Sequence, residues 1–139
     1  PPHWTILHAG NEKHNRFIPD TKKQRWEAIQ WLMFQMGNVG PMFGQAFHFS
    51  TKAPEPLPYA IERYLKETSR LLEVLDKRIE KESFLAGEYS IADMATYPWV
   101  WAAFRKWSDE LGSFSHLHRW METVSKRPAV QKGVRITKS

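Results

Sequence analysis

Between residues 61 and 79 the apolar side chains recur with helical spacing. Ile61, Tyr64, Leu65, Thr68, Leu72, Leu75 and Ile79 step by three and four residues, for about five turns at 3.6 residues per turn. Glu62, Lys66, Arg70, Glu73, Lys77 and Glu80 fill the other side. A strand alternates every second residue and cannot carry this pattern, so the segment is a long amphipathic helix with one stripe to bury. The rest of the chain must supply the cover, and it too reads as helix. Thr21-Lys22-Lys23-Gln24 fits a capping box. Behind it Trp26, Ile29, Met33 and Met36, with Leu32 beside them, form a second stripe that is expected to face the core. Gly37-Asn38-Val39-Gly40-Pro41 is expected to break or kink that helix, because Pro41 has no N–H and biases Gly40 away from helical angles. A short helical piece from Met42 to Phe49 follows.

Ala53-Pro54-Glu55-Pro56-Leu57-Pro58 is an extended connector. After the long helix, Ser90 and Asp93 sit three residues apart, where each side chain can satisfy the other's free amide. Tyr89 can pack on Met94 as a hydrophobic staple. The helix so begun, Met94 to Phe104, is apolar almost all round, which places it centrally, with Pro98 as a kink. A last helix carries Leu117, Trp120, Met121 and Val124 and stops before Pro128, leaving a short Pro128 to Lys132 turn. No alternating run appears. The fold class is all-α, a bundle of four to five helices. Residues 1–18 read as a linker or remnant of a preceding domain, 19–133 as the helical domain and 134–139 as a basic tail.

With 139 residues the chain makes one domain. The net charge of +5 raises the question of nucleic acid, but the excess lies at the ends, +3 in residues 1–25 and +5 in 111–139. In the middle, 52–82 interleaves seven basic with seven acidic residues, a solvated helix face and not a phosphate-tracking stripe. No nucleic-acid partner is expected. No stretch approaches the roughly 20 apolar residues of a membrane span, so no membrane role and a cytoplasmic location are expected. The absence of Cys removes thiolate nucleophiles and thiolate metal sites. Six His are scattered without the HExxH spacing or a helical pair, so no metal is expected.

Among polar residues inside apolar surroundings, Arg63 follows the proline-rich connector and precedes Tyr64. Its guanidinium can fork onto a ligand carboxylate. Spacing alone favours a surface pair with Glu67 at i+4, worth only about 0.3 to 0.5 kcal/mol. Gln30 and Gln45 can contact ligand or face water. Met33, Phe34, Met36, Met42 and Phe43 can wall an adaptable apolar pocket, although core packing explains them with less.

Several runs in unbroken order resemble the helical C-terminal domain of glutathione transferases. They are Gln30-Trp31-Leu32-Met33-Phe34-Gln35-Met36-Gly37, Gly40-Pro41-Met42-Phe43-Gly44-Gln45, Tyr59-Ala60-Ile61-Glu62-Arg63-Tyr64, Leu85-Ala86-Gly87, Tyr89-Ser90-Ile91-Ala92-Asp93 and Arg127-Pro128-Ala129-Val130. The likeness spans about residues 17 to 133 and is nearest the bacterial nu class, of disulfide-bond oxidoreductase type. It implies that Arg63 and Gln30 contact glutathione, and that Met42, Phe43, Gln45 and His48 line the mouth of the electrophile site. Phe47 departs from the branch, which usually has a second His there. The family's thioredoxin-like domain, which activates the glutathione thiol, has no counterpart in these residues. The resemblance therefore implies glutathione as substrate, no catalytic residue in this chain, and a partner: a homodimer mate or a thioredoxin-like domain in trans. The other reading is a non-catalytic interaction or dimerisation module with this fold.

Overall fold

Residues 17–136 are described by the structure, a computed structural model. Most of the expected 1–18 linker lies outside the described residues. Helix α1, Lys22–Phe34, starts at Thr21, whose hydroxyl accepts from the Gln24 N–H at 3.3 Å. The Gln24 Oε1 accepts a hydrogen bond from the Thr21 hydroxyl at 2.8 Å and does not reach back to the backbone, a variant of the expected box.

Gly40-Pro41 does not break the helix. The chain stays helical through a π turn, Gln35–Val39, into α2, Gly40–Thr51. Gly40 keeps helical angles, φ −55° and ψ −57°, and its N–H bonds Gln35 O, five residues back. Widening one turn carries the ladder past the donor that Pro41 lacks, and Pro41 then lies in the first turn of α2, where a missing N–H is tolerated. Gly40 is also a point of close approach. A Cβ there would meet Gln35 Nε2 at 3.1 Å and Trp99 Cε2 at 3.6 Å.

Residues 53–57, with bends at Pro54 and Glu55, lead to α3, Pro58–Arg78, with proline at its first turn. Thr68, Leu72, Leu75 and Ile79 of the expected stripe are buried, joined by Leu71, while Ile61, Tyr64 and Leu65 are half-buried. Beyond α3 the chain turns through Gly87, whose φ of 83° favours glycine. It then enters α4, Ile91–Trp107, which packs against α1, the π turn, α2 and the fifth helix, and so occupies the centre. Pro98 sits inside α4 on an exposed position, where water can satisfy the carbonyl it leaves free. Helix α5, Ser115–Ser125, buries Leu117, Trp120 and Val124. The residues expected to form a turn after Pro128 instead make α6, Pro128–Ile136, which runs past residue 133 into the expected tail. Counting α1, the π turn and α2 as one rod gives five helical rods. No strand occurs among the described residues.

One expected buried stripe is not buried. Trp26, Met33 and Met36 are 61%, 55% and 60% exposed. The rod turns a different face inward: Ala28, Gln35, Val39, Phe43 and Ala46 are buried. Small side chains at 28, 40 and 46 let the rod lie close to its neighbours, a criterion that hydrophobicity alone does not see.

Candidate functional site

The capping box that starts α4 forms as expected and is larger than local sequence suggests. Asp93 Oδ2 accepts from the Ser90 N–H at 3.0 Å, and Ser90 Oγ accepts from the Ala92 N–H at 3.3 Å. Asp93 Oδ1 accepts two more bonds, from the Leu85 N–H at 3.1 Å and Trp120 Nε1 at 2.8 Å. Burial holds the carboxyl above the usual 3.8, against the opposite pull of these bonds. Every donor is a protein group and the carboxyl is fully buried, so the cluster is structural. Tyr89 packs edge-on against Phe84 and Phe17, centroids 5.5 and 6.3 Å away. Arg127 lies 3.7 Å from the centre of its ring.

An open cavity of about 860 Å³ lies against α2 and α3, lined by Met42 and by the α3 residues from Tyr59 to Glu73. Its α3 wall is a strip of helical spacing: Tyr59, Glu62, Arg63, Lys66, Ser69 and Arg70. Tyr59 stands 78% exposed at one end. Tyr64, at its side, stacks on Phe49 with centroids 5.4 Å apart and planes 5° from parallel, fixing α2 against α3.

The expected Arg63–Glu67 pair does not form. Arg70 grips Glu67 through two bonds of 2.8 Å each, from Nε and Nη2. A fork of parallel bonds from one guanidinium wins over a single contact from the other side. The Arg70 hydrogen bonds hold the Glu67 carboxyl below its ordinary value. Glu73, at the far end of the cavity, is taken by Lys77 at 2.9 Å. Arg63 makes no hydrogen bond or ion pair among the described residues.

Of the other site residues expected from sequence, Met42 shares the cavity with Arg63. Phe43, its neighbour in sequence, is fully buried in the core, because one residue along a helix turns the side chain by about 100°. Gln45 and His48 are exposed on α2, His48 with its ring edge-on to Phe49 at 5.0 Å. Gln30 is exposed on α1. Together with Trp26, Met33 and Pro41, these three lie on one exposed strip of the rod, apart from the cavity lining. Phe47 tilts onto Trp107, centroids 4.4 Å apart. Sequence reading passed over Tyr59, Glu62 and Lys66 as site residues. The available signal was helical spacing: Tyr59 and Lys66 lie four and three residues from Arg63, and Glu62 lies three from Tyr59 and four from Lys66. Among the described residues no group of three or more His, Asp or Glu is placed to hold a metal, and no helix is long and apolar enough to cross a membrane.

The sequence model described as "Glutathione S-transferase, C-terminal domain" matches residues 39–128. The chain is 46% identical over 119 residues to a disulfide-bond oxidoreductase of Escherichia coli, YfcG, covering 85% of this chain and 55% of that protein. It is 41% identical over 130 residues to a second, YghU, covering 88% and 45%. The chain thus spans about half the length of these relatives. Among solved structures, a Pseudomonas putida glutathione transferase with one glutathione disulfide bound per subunit superposes with a TM-score of 0.84 at 37% identity, over 95% of this chain and 60% of that one. A Burkholderia graminis glutathione transferase with two glutathione molecules per subunit gives 0.81 at 38%, over 93% and 57%.

Proposed function

The chain belongs to the glutathione S-transferase C-terminal domain family, and from that premise we propose that it is the helical half of a nu-type transferase that binds glutathione beside α3. The whole enzyme would transfer glutathione to electrophiles or reduce disulfides with it. The observation that carries the reading is Arg63: a guanidinium on a cavity wall with no ion pair among the described residues, while the carboxylate at i+4, Glu67, is held by Arg70. Such a fork suits a carboxylate of a peptide ligand. Gln30, on the separate exposed strip of the rod, is proposed as a second contact to glutathione carried by a covering domain, with Met42 in the cavity and Gln45 and His48 on that strip as the electrophile side and Phe43 supporting them from the core.

Catalysis needs a donor hydrogen bond that stabilises the glutathione thiolate. The family resemblance places that donor in a thioredoxin-like domain. The chemistry therefore depends on a thioredoxin-like domain, supplied in the same chain or in trans, and the isolated helical half is expected to bind glutathione weakly and turn over little. The exposed Trp26, Met33 and Met36 support a cover for the rod, either that domain or a homodimer mate. The same patch favours the second reading, a non-catalytic association module.

Titration of the chain with glutathione and with glutathione disulfide, followed by calorimetry, tests the first reading. Saturable binding that Arg63→Ala removes is the expected result, with a rate on a chlorinated aromatic no better than buffer until a thioredoxin-like domain is added. No binding by the native chain, together with concentration-dependent association in light scattering, would favour the module.

A further inference from the structure

Two of the chain's five methionines stand largely in water. Met33 and Met36 are 55% and 60% exposed on the outer face of the rod, which they share with Trp26. Met42, Met94 and Met121 are half-buried, and Met42 and Met121 pack on the core. Because the chain has no Cys, these five thioethers are its only sulfur. A methionine that fills a gap in a core has a packing role; Met33 and Met36 do not fill one. They lie three residues apart, one in the last turn of α1 and the other in the π turn. Trp26, Gln30, Pro41 and Gln45, exposed with them, add no Lys, Arg, Asp or Glu to this face.

Resting on the reading of this face as one that a second copy covers, we infer that Met33 and Met36 are an oxidative modification site: peroxide oxygenates them ahead of the other methionines while the face is bare, and the two sulfoxides then oppose the docking of a second copy. A face without formal charge meets its own image with no like-charge repulsion, which suits it to a second copy of the chain. In the reaction a sulfur lone pair attacks one oxygen of hydrogen peroxide. The S–O bond forms as the O–O bond breaks; the sulfide is oxidised by two electrons to the sulfoxide and the peroxide is reduced, leaving as water. Each product puts a polar S=O group where an apolar thioether stood, and burying that group against an apolar face costs free energy. Covering the face shields both sulfurs, so the modification is confined to the uncovered chain. It holds the chain there until a methionine sulfoxide reductase, with two thiols as reductant, returns the oxygen to water.

Hydrogen peroxide titration of the native chain, read by peptide mass spectrometry, tests the site, and light scattering over a concentration series, before and after oxidation, tests its effect. In dilute solution Met33 and Met36 are expected to oxidise at least about fivefold faster than the other three methionines, and to slow as association sets in. The dissociation constant of the paired chains is expected to rise about tenfold on oxidation. Methionine sulfoxide reductase with dithiothreitol is expected to restore it. The double variant Met33→Leu with Met36→Leu keeps the face apolar without a thioether; it is expected to associate like the native chain and to go on doing so after peroxide, with circular dichroism verifying the fold. Equal oxidation of all five methionines, or selective oxidation that leaves association unchanged, overturns the inference while the reading of a covered face stands. A native chain that stays monomeric at every concentration overturns both.

Discussion

The indole N–H of Trp120 donates to Oδ1 of Asp93 at 2.8 Å, joining the core of α5 to the cap of α4 across 27 residues of sequence. The same carboxyl holds the Leu85 and Ser90 amides. Replacing Asp93 by Ala leaves three buried donors without partners, each costing about 1 to 3 kcal/mol and not additively, so a loss of about 3 to 5 kcal/mol is expected in urea unfolding followed by circular dichroism. Trp120→Phe removes one donor and is expected to cost about 1 to 2 kcal/mol. A loss below about 0.5 kcal/mol for Asp93→Ala, the range of ordinary surface changes, would mean that this cap does not hold the bundle together.

Asp93 also makes a pH prediction. Its carboxyl is raised above 3.8 in the folded chain, chiefly by burial. A group raised in this way favours the folded state most when protonated. Its contribution is complete below the unfolded value and is lost as pH rises through the folded one. Asp93→Asn does not titrate, although its amide meets donors where the carboxylate accepted. The stability of the native chain relative to this variant is therefore expected to fall as pH rises above about 4. A relative stability that climbs with pH would show that the hydrogen bonds outweigh burial.

Trp26 provides the contrast. At 61% exposure its removal should leave the fold nearly untouched. Trp26→Ala is expected to shift unfolding free energy by no more than about 0.5 kcal/mol, against about 3 to 5 for a buried tryptophan such as Trp120. If the stripe is an association surface, the same variant weakens self-association in light scattering. A cost above about 2 kcal/mol in dilute solution would place Trp26 in the core.

The Glu67–Arg70 fork leads to a prediction about binding. Arg70 keeps Glu67 engaged and so leaves Arg63 open. Arg70→Ala frees Glu67 to turn toward Arg63 at i−4, competing with ligand. Glutathione affinity is expected to drop about two- to fivefold, and Glu67→Gln in the same chain should restore it. A drop that the second change does not restore would point to a direct ligand contact by Arg70.

What the sequence disclosed was local. Ser90 and Asp93 lie three residues apart, Thr21 and Gln24 likewise, and the α3 stripe follows a single period, so caps and the long helix could be read directly. Trp26 and Met33 could not. Periodicity marks a stripe as apolar but not which neighbour covers it, and small residues at 28, 40 and 46 decided the packing instead. Gly40-Pro41 reads as a break or kink because proline lacks an N–H and biases the residue before it, whereas the π turn Gln35–Val39 accommodates both. Arg63 and Met42 line one cavity only through the tertiary packing of α2 on α3. The choice of Glu67 between Arg63 and Arg70 turned on fork geometry that spacing does not encode.

The exposure of Trp26 has an optical consequence. Among the described tryptophans it is the one whose ring stands mostly in water, the others being half-buried or enclosed. A collisional quencher in solution reaches it first, and anything that settles on the outer face of the rod shields it and moves its emission toward the blue. The chain carries its own fluorescent reporter on the surface left uncovered, so the arrival of a covering domain or a second copy can be watched without a label.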